Sequence, residues 1–261
     1  MKKLYIIKIG GGVIDDEEAL TKFLKSFAAI EENKILVHGG GKLATTMANR
    51  LGLTQKIIEG RRITDIETLK IATMVYSGSI NKNIVAKLQG LQCNALGLSG
   101  TDANAVLAHK RNHPTINFGY VGDIDIVNIE LIIFLLNRNI SLVFAPIIHD
   151  GNGQLLNTNA DTLAQELARS LNNEYDTTLI YTFEKNGVLH DADDDNTLIP
   201  FLNMNNYIKL KAEAKISDGM IPKLDNAFHA LENGVQKIII GKSENLKQLI
   251  EGKSGTTIVN D

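Results

Sequence analysis

The sequence predicts an α/β fold in which helices cover both faces of a mainly parallel sheet, an open αβα sandwich. Two observations lead to this prediction. Short, continuously apolar runs alternate along the 261 residues with longer runs whose apolar residues recur at helical spacing. The short runs lack the polar alternation of a half-exposed strand, which is typical of parallel strands that are buried on both faces.

The predicted strands follow from the apolar runs. Residues 105–127 differ, because polar and apolar residues alternate there around Gly119 and Gly122, as in a hairpin. The last run, 256–259, is predicted to close the edge of the sheet. The remaining predicted strands are 4–9, 34–37, 95–98, 142–148, 177–182 and 237–240.

Helices are predicted between these strands. Residues 15–30 begin with an acidic stretch that suits a helix N-terminus and continue with Leu20, Phe23, Leu24 and Phe27 at helical spacing. Residues 65–90 are predicted to form one long helix or two. The other predicted helices are 42–51, 161–171, 222–233 and 244–251.

Composition and charge restrict the class of protein. Hydrophobic residues make up 44% of the chain and charged residues 22%, as in a soluble globular protein. The net charge of -3 gives no reason to expect nucleic acid or an anionic membrane as a partner. The single cysteine, Cys93, allows no internal disulfide, and no apolar run is long enough for a signal peptide or a membrane span. We therefore expect a cytoplasmic protein.

The chain contains no linker rich in Pro, Gly or Ser, so we expect one continuous domain. Near residues 170–176 a half that contains glycine-rich turns gives way to a half that begins with a new strand. This change predicts two lobes, 1–172 and 173–261.

Two glycine turns are the strongest functional feature. Gly10-Gly11-Gly12 follows the first predicted strand, and Gly39-Gly40-Gly41 follows the second. Loops at the carboxyl ends of parallel strands line the ligand crevice, and glycines there let backbone N–H groups approach an anion closely. Neither turn fits a Walker or dinucleotide-binding fingerprint. One such turn alone favours a tight turn without a ligand, whereas the pair favours phosphate binding.

Four further side chains could act with these turns, although each also has a structural explanation. Lys8 should emerge from the end of its apolar strand toward an anion, because burying an unpaired ammonium is costly. Lys223, taken alone, is typical of a solvated surface lysine at a helix start, and Asp161 could simply cap a helix. Arg62 has the planar fork that suits a carboxylate, with a basic surface turn as the alternative. These spacings predict a phosphate-binding α/β protein and do not fix the reaction.

The motifs together resemble the amino-acid kinase family, and within it the branch that acts on an N-acylated glutamate. The matching segments occur in the family order and run nearly from end to end. They are Lys8-Ile9-Gly10-Gly11, His38-Gly39-Gly40-Gly41, 60–65, 157–161, 217–223 and Gly255-Thr256-Thr257-Ile258. The resemblance implies the carbamate kinase-like fold, with acylglutamate binding and dimerisation in the first lobe and ATP binding in the second.

The resemblance also implies roles for individual residues. Lys8 and Lys223 would stabilise the transferring phosphoryl group, Asp161 would hold both lysines in position, and Gly11 would donate its N–H group to a phosphate. The acylated amino acid would bind Gly40, Gly41, Arg62 and Asn157, with Arg62 on its α-carboxylate. ATP would contact Glu184, Lys185, Asn186, Gly187, Val188, Leu189, Lys215, Ile216 and Ser217.

The implied reaction is ATP-dependent phosphorylation of the γ-carboxylate of N-acetyl-L-glutamate, or of N-succinyl-L-glutamate, in the second step of arginine biosynthesis. Such a transfer depends on positioning and charge neutralisation. Two lysines and a Mg²⁺ ion held mainly by the nucleotide phosphates would supply the positive charge, with no protein residue expected as a metal ligand. The substrate carboxylate is ionised at neutral pH, so no general base is required.

Two segments depart from the family pattern. Residues 183–188 read Phe-Glu-Lys-Asn-Gly-Val where the family has Thr-Asp-Val-x-Gly-Val. Residues 99–104 lack the glycine pair that is common after the aspartate, Asp102, and this leaves the acyl group open between acetyl and succinyl.

Two alternatives remain open. A kinase of the same family for aspartate, carbamate or uridine monophosphate is opposed by Arg62 in its motif. A non-catalytic amino-acid sensor on the same fold is opposed by the joint presence of Lys8, Asp161 and Lys223.

The N-terminus leads to an expectation about assembly. The first predicted strand begins by Leu4, whereas arginine-inhibited relatives carry a helix ahead of it that builds hexamers. We therefore expect a homodimer that arginine does not inhibit. Its interface is predicted to use the apolar residues Leu69, Ile71, Ala72 and Val75.

Overall fold

The computed structural model describes residues 1–53, 57–58, 61–191, 194–213, 215–216 and 220–261. The strands are β1 (Lys2–Ile9), β2 (Asn33–His38), β3 (Ile57–Ile58), β4 (Arg61–Arg62), β5 (Ala95–Leu98), β6 (Val106–Lys110), β7 (Gly122–Val127), β8 (Ser141–Phe144), β9 (Ile147–His149), β10 (Leu155–Asn157), β11 (Tyr175–Phe183), β12 (Phe201–Leu202), β13 (Lys237–Lys242) and β14 (Thr256–Ile258).

The helices are α1 (Gly11–Asp15), α2 (Glu17–Ala28), α3 (Gly41–Arg50), α4 (Ile66–Thr73), α5 (Asn81–Gly90), α6 (Ile129–Leu136), α7 (Ala160–Leu171), α8 (Met204–Ala212), α9 (Ile221–Glu232) and α10 (Leu246–Ile250). A π-helix, Met74–Ile80, joins α4 directly to α5, so the predicted helical region 65–90 is continuous but changes its winding in the middle. No helix in the described ranges is both long and apolar enough to cross a membrane.

The chain divides into two compact units. The first consists of Met1–Lys34 together with Ala164–Asp261, and the second of Ile35–Leu163. The N-terminal residues belong with the C-terminal part because β1 pairs in parallel with β11, from Lys2 opposite Tyr175 to Lys8 opposite Tyr181. The predicted lobes, 1–172 and 173–261, therefore divide the chain at a different place from the compact units.

In the first unit the strand order is β12-β14-β13-β11-β1, and only the β13–β14 pair is antiparallel. The apolar runs of β1, β11 and β13 are almost completely buried, which confirms the prediction of a mainly parallel sheet. Helix α9 packs against β13 and β14, and α10 packs against β13 and α2.

In the second unit β2, β8 and β5 are parallel neighbours, in that order. A separate four-stranded sheet has the order β10-β9-β6-β7, and it contains the predicted hairpin as β6 and β7. Strands β3 and β4 form a short antiparallel pair that carries Arg62.

The predicted helix 15–30 is interrupted at its start. Asp16 is extended, and its side chain accepts hydrogen bonds from the N–H groups of Glu18 and Ala19, both at 2.9 Å. This cap separates α1 from α2 and starts α2. At the other end of α2 the buried ammonium group of Lys34 donates to the carbonyl oxygens of Ala28 and Ile30, where the helix leaves backbone acceptors without intrahelical partners.

Two strand predictions are wrong. The apolar run 142–148 forms two strands, β8 and β9, which belong to different sheets. Pro146 lies between them and has no N–H group to continue a ladder. Strand β14 does not close the sheet edge, because the unpredicted strand β12 pairs along its outer side, with Phe201 opposite Thr257.

Candidate active site

The first glycine turn, Gly10–Gly12, connects β1 to α1 and has one open position. A side chain on Gly10 would lie 2.9 Å from the carbonyl oxygen of Thr182, so glycine is needed there for the close approach of β11. A side chain on Gly12 would collide with the carboxylate of Glu184. A side chain on Gly11 would meet no atom within 4 Å. The predicted phosphate contact is therefore accessible, and Glu184 lies at the same turn.

Both predicted catalytic lysines lie at the carboxyl end of the β1–β11 strand pair. Lys8 is half-buried near the end of β1, opposite Tyr181 on β11. Lys223 lies in the first turn of α9, and its Nζ is 5.9 Å from the ring centroid of Phe183, the last residue of β11. This distance fits a cation–π contact. The fold thus brings two ammonium groups, 215 residues apart in the chain, to one end of the sheet.

The second glycine turn, Gly39–Gly41, connects β2 to α3 and is tightly packed. Gly40 has a φ of 146°, a conformation that side chains disfavour. A side chain there would also collide with Ile80 and lie 3.2 Å from the ring of Tyr76. The π-helix supplies both of these residues, and the turn therefore depends on that helix for its shape.

Arg62 is anchored on the second turn. Its Nη2 donates to the carbonyl oxygen of Gly41 and to Oγ1 of Thr45, both at 2.8 Å. It also donates to the hydroxyl group of Tyr76. Burial raises the pKa of Tyr76 above its usual value, with Arg62 acting in the opposite direction, so the hydroxyl stays protonated at neutral pH. These contacts hold the guanidinium group beside Gly41.

Asn157, at the end of β10, completes this cluster. Its Nδ2 donates to Oγ1 of Thr64 at 3.1 Å, and Thr64 in turn donates to the carbonyl oxygen of Arg62 at 3.2 Å. The Oδ1 atom of Asn157 is buried and has no hydrogen-bond partner within the described ranges. A buried acceptor in that state costs free energy unless a ligand satisfies it. The structure thus brings all four predicted substrate residues together.

Asp161 lies in the first turn of α7, but it does not cap the helix. The side chain of Asn159 does so, since its Oδ1 accepts from the N–H groups of Asp161 at 2.7 Å and Thr162 at 3.3 Å. The capping explanation for Asp161 is therefore wrong. Its Oδ1 is buried. The expected contact of this carboxylate with the two lysines stays a prediction.

The predicted nucleotide segment has an exposed and a buried half. Glu184 and Lys185 are exposed and Asn186 is half-buried, whereas Gly187, Val188 and Leu189 are buried. The N–H group of Val188 donates to Oγ1 of Thr256 at 2.8 Å, which ties the turn to β14.

The second nucleotide segment is only partly described. Lys215 is exposed and lies 2.8 Å from a carboxylate oxygen of Glu213, and Ile216 is buried. Ser217 lies outside the described residues. Among the residues that are described, no group of three or more His, Cys, Asp or Glu side chains is arranged to hold a metal ion.

Sequence reasoning missed Tyr76, which belongs to this cluster. Tyr76 reads as an ordinary apolar helix position, and nothing in the sequence indicates the π-helix that turns it toward Arg62.

The predicted dimer interface is wrong in its residues, because Leu69, Ile71, Ala72 and Val75 are all buried within the chain itself.

The chain is similar to several known proteins. The model of the amino acid kinase family matches residues 3–242. A protein from Cytophaga hutchinsonii, named acetylglutamate kinase, is 54% identical over 262 residues, which cover 99% of each chain. The crystal structure of smu.665 from Streptococcus mutans UA159 has a TM-score of 0.81 at 26% identity over 99% of both chains. A carbamate kinase from Giardia has the same fold, with a TM-score of 0.71 at 13% identity over 100% of this chain and 99% of that one.

Proposed function

Because the chain belongs to the amino acid kinase family, we propose that it transfers the γ-phosphoryl group of ATP to the γ-carboxylate of N-acetyl-L-glutamate, in the second step of arginine biosynthesis. The relative from Cytophaga hutchinsonii is named for this substrate. N-succinyl-L-glutamate is the second phosphoryl acceptor to be tested. The observation that carries the proposal is the cluster of Arg62, Gly41 and Asn157.

Two groups of an N-acylated glutamate match this cluster. The guanidinium fork of Arg62 suits the α-carboxylate. The buried Oδ1 of Asn157 is an acceptor for the amide N–H group that exists only after acylation. Free glutamate would bring a charged ammonium group to the same place, and an ammonium group in a buried site is costly unless a counter-charge is present. Arg62 and Asn157 together therefore favour the acylated amino acid over free glutamate.

The reaction needs little covalent help from the protein. A γ-carboxylate oxygen attacks the γ-phosphorus atom, a new O–P bond forms, and the bond from phosphorus to the bridging oxygen breaks, so that ADP leaves. No proton is transferred, because the attacking carboxylate is already ionised. Several negative charges meet in the transition state, and Lys8, Lys223 and the N–H group of Gly11 are assigned to stabilise them.

ATP and Mg²⁺ fit the residues of the first unit. Gly11 faces open space beside Glu184, and two lysines lie at the same end of the sheet, so a polyphosphate finds N–H donors and positive charge together. When bound, Mg²⁺ neutralises phosphate charge, and we assign its coordination mainly to the phosphates.

We further propose that the enzyme is a cytoplasmic homodimer. Cytoplasmic location suits the consumption of ATP and the single buried cysteine, Cys93. Sedimentation at micromolar concentration tests the assembly, with a species near twice 28.6 kDa expected.

An assay of ADP release tests the function directly. N-acetylglutamate, N-succinylglutamate, free glutamate, aspartate, carbamate and uridine monophosphate are compared with ATP and Mg²⁺ at saturation. We expect an acylglutamate to have the highest kcat/KM, with N-acetylglutamate first. Turnover of aspartate, carbamate or uridine monophosphate instead would assign another family activity, and no turnover of any acceptor would overturn the kinase proposal.

A further inference from the structure

A polar network centred on two buried side chains lies behind the second glycine turn. His38, the last residue of β2, is completely buried. Its Nδ1 lies 2.8 Å from the carbonyl oxygen of Gly39, and its Nε2 lies 3.1 Å from Nδ2 of Asn81. Asn81, the first residue of α5, is also completely buried. Polar groups at this depth must form hydrogen bonds with one another, so the side chains of the network can adopt few orientations.

The neighbours of Asn81 determine which way its amide points. Its Nδ2 lies 2.9 Å from the carbonyl oxygen of Val143, which can only accept a hydrogen bond. Its Oδ1 lies 3.1 Å from Nζ of Lys82, which can only donate. The NH₂ group of Asn81 must therefore face both Val143 and His38.

The tautomer of His38 follows from that orientation. Nε2 receives a hydrogen bond from Asn81, so it carries no proton. The proton of the neutral imidazole lies on Nδ1, which donates to the carbonyl oxygen of Gly39. A second proton on Nε2 would point at the N–H donors of Asn81. Burial lowers the pKa of His38 to about 4, and the nearby ammonium of Lys82 acts in the same direction.

The π-helix brings Asn81 to this position. The N–H group of Asn81 donates to the carbonyl oxygen of Tyr76, five residues earlier, in the bonding pattern of a π-helix. In an α-helix of 3.6 residues per turn, two residues five apart lie about 140° apart around the axis. The wider winding reduces that angle. Tyr76 can then pack on Gly40 while Asn81 holds His38 behind Gly39.

We propose that His38 is a positioning residue for phosphoryl transfer and acts through the peptide that joins Gly39 to Gly40. The carbonyl group of Gly39 and the N–H group of Gly40 belong to one planar trans peptide and point in opposite directions. A hydrogen bond that fixes the carbonyl oxygen therefore also aims the N–H group. This inference rests on the proposed function, in which Gly40 contacts the acylglutamate. His38 itself touches no reactant and exchanges no proton.

Two substitutions separate the two hydrogen bonds of the ring. In His38→Asn the shorter side chain places an amide N–H group near the position of Nδ1, so the bond to Gly39 can be kept. In His38→Gln the amide oxygen reaches the position of Nε2, so the bond from Asn81 is kept and the bond to Gly39 is lost. Both variants remove the imidazole, and melting temperatures and circular dichroism establish that each is folded.

Kinetics of the two variants test the role. We expect His38→Gln to lower kcat about tenfold or more, because the lost bond to Gly39 no longer aims the N–H group of Gly40. We expect His38→Asn to lower kcat about threefold or less, because that bond can be kept. The KM for ATP should be unchanged in both. Equal losses of kcat that simply follow the melting temperatures would overturn the proposal, and so would full activity in a folded His38→Gln variant.

Nitrogen NMR of the wild-type protein tests the network without any assay of activity. Long-range ¹H–¹⁵N correlations should show a proton on Nδ1 of His38 and none on Nε2, with no titration of this ring between about pH 5.5 and 8. A proton on Nε2, or titration in that range, would overturn the inference while leaving the proposed function untouched. If the wild-type protein phosphorylates no acylglutamate, the proposed function fails, and the positioning role fails with it.

Discussion

The two glycine turns have the same sequence pattern but are built in opposite ways. The first, Gly10–Gly12, follows a strand that carries the charged Lys8, and its middle residue faces open space. The second, Gly39–Gly41, follows the buried and neutral His38, and its middle residue lies under Ile80 and Tyr76. In the first turn the backbone is exposed and the charge comes from lysines. In the second, side chains hold the backbone on several sides.

This difference shows that glycine serves two purposes here. Gly11 leaves room for a ligand, whereas Gly40 is required by its φ of 146° and by the side chains packed against it. The open turn suits a polyphosphate, whose many oxygens accept hydrogen bonds from any direction. The held turn suits a small acylated amino acid whose carboxylate and amide must be placed at fixed positions.

Loss of charge at the first turn should have the largest effect. In Lys8→Met the side chain keeps similar length and loses the ammonium group that would neutralise the transferring phosphoryl group. We expect kcat to fall about a hundredfold or more, because removal of one such contact costs a few kcal/mol of barrier. Steady-state ADP release at saturating ATP and acylglutamate measures this. The same result is expected for Lys223→Met.

Lys22→Met is the matched control. Lys22 pairs with Glu18 on the exposed face of α2, and its side chain is 65% exposed. Exposed pairs of this kind contribute little to stability, and kcat should be unchanged. A folded Lys8→Met variant with near-normal kcat would contradict the role assigned to the charge of Lys8 at the first turn.

Exchanging glycine for alanine at the two middle positions should separate stability from ligand binding. Gly40→Ala forces a side chain into an unfavourable φ and against Ile80 and Tyr76, so we expect a loss of about 2–4 kcal/mol in unfolding free energy. Gly11→Ala has no such collision and should leave stability within about 0.5 kcal/mol. Its methyl group should instead raise the KM for ATP, because it occupies the space assigned to a phosphate.

Urea denaturation and steady-state kinetics on the same two variants decide this comparison. Similar stability losses in both variants would show that the first turn is packed as tightly as the second. An unchanged KM for ATP in Gly11→Ala would contradict the assignment of an ATP phosphate to that turn.

Much of the fold could be predicted because its causes are local. Continuous apolar runs identified β1, β5, β11 and β13, and the glycine triplets identified where β1 and β2 end. The errors arose where tertiary pairing decides. Pro146 sends β9 into another sheet, and the two-residue strand β12 exists only because it pairs with β14. No property of Phe201 or Leu202 alone predicts that pairing.

The candidate site could be predicted only where a motif carries it. Arg62 and Asn157 were found through their motifs, and the structure places them in one cluster. Tyr76 and Asn81 could not be found, because their roles depend on a π-helix for which the sequence offers no signal. His38 precedes a glycine triplet, but its importance depends on the partner Asn81, 43 residues away.

Arg62→Lys should have a moderate effect that is confined to the second turn. Lysine keeps the charge but loses the planar fork and the contacts to Gly41 and Thr45. We expect the KM for the acylglutamate to rise about tenfold or more, the cost of a lost charge-assisted hydrogen bond, with the KM for ATP nearly unchanged. An equal rise of both KM values in Arg62→Lys would contradict the assignment of the acylglutamate to the second turn and of ATP to the first.

The smallest effect is expected at the start of the helix that supports the second turn. Asp65 accepts a hydrogen bond from the N–H group of Thr68 at 2.7 Å and caps α4, which continues into the π-helix. That bond lowers the pKa of Asp65 below its usual value. A lowered pKa means that the carboxylate stabilises the fold above the pKa of the unfolded chain, and that this stabilisation is lost as the pH falls through the folded value.

Asp65→Ala should therefore reduce the free energy of unfolding by about 1 kcal/mol at pH 7, and the difference from the wild-type protein should shrink below about pH 4. Asp65→Asn keeps an acceptor oxygen and should lose much less, with no such change in acid. Because α4 continues into the π-helix, which packs against the second turn, any kinetic effect should fall on the KM for the acylglutamate and spare the KM for ATP. A stability difference that stays constant down to pH 3 would show that the cap does not depend on the charge of Asp65, and a raised KM for ATP would show that the first turn also depends on this helix.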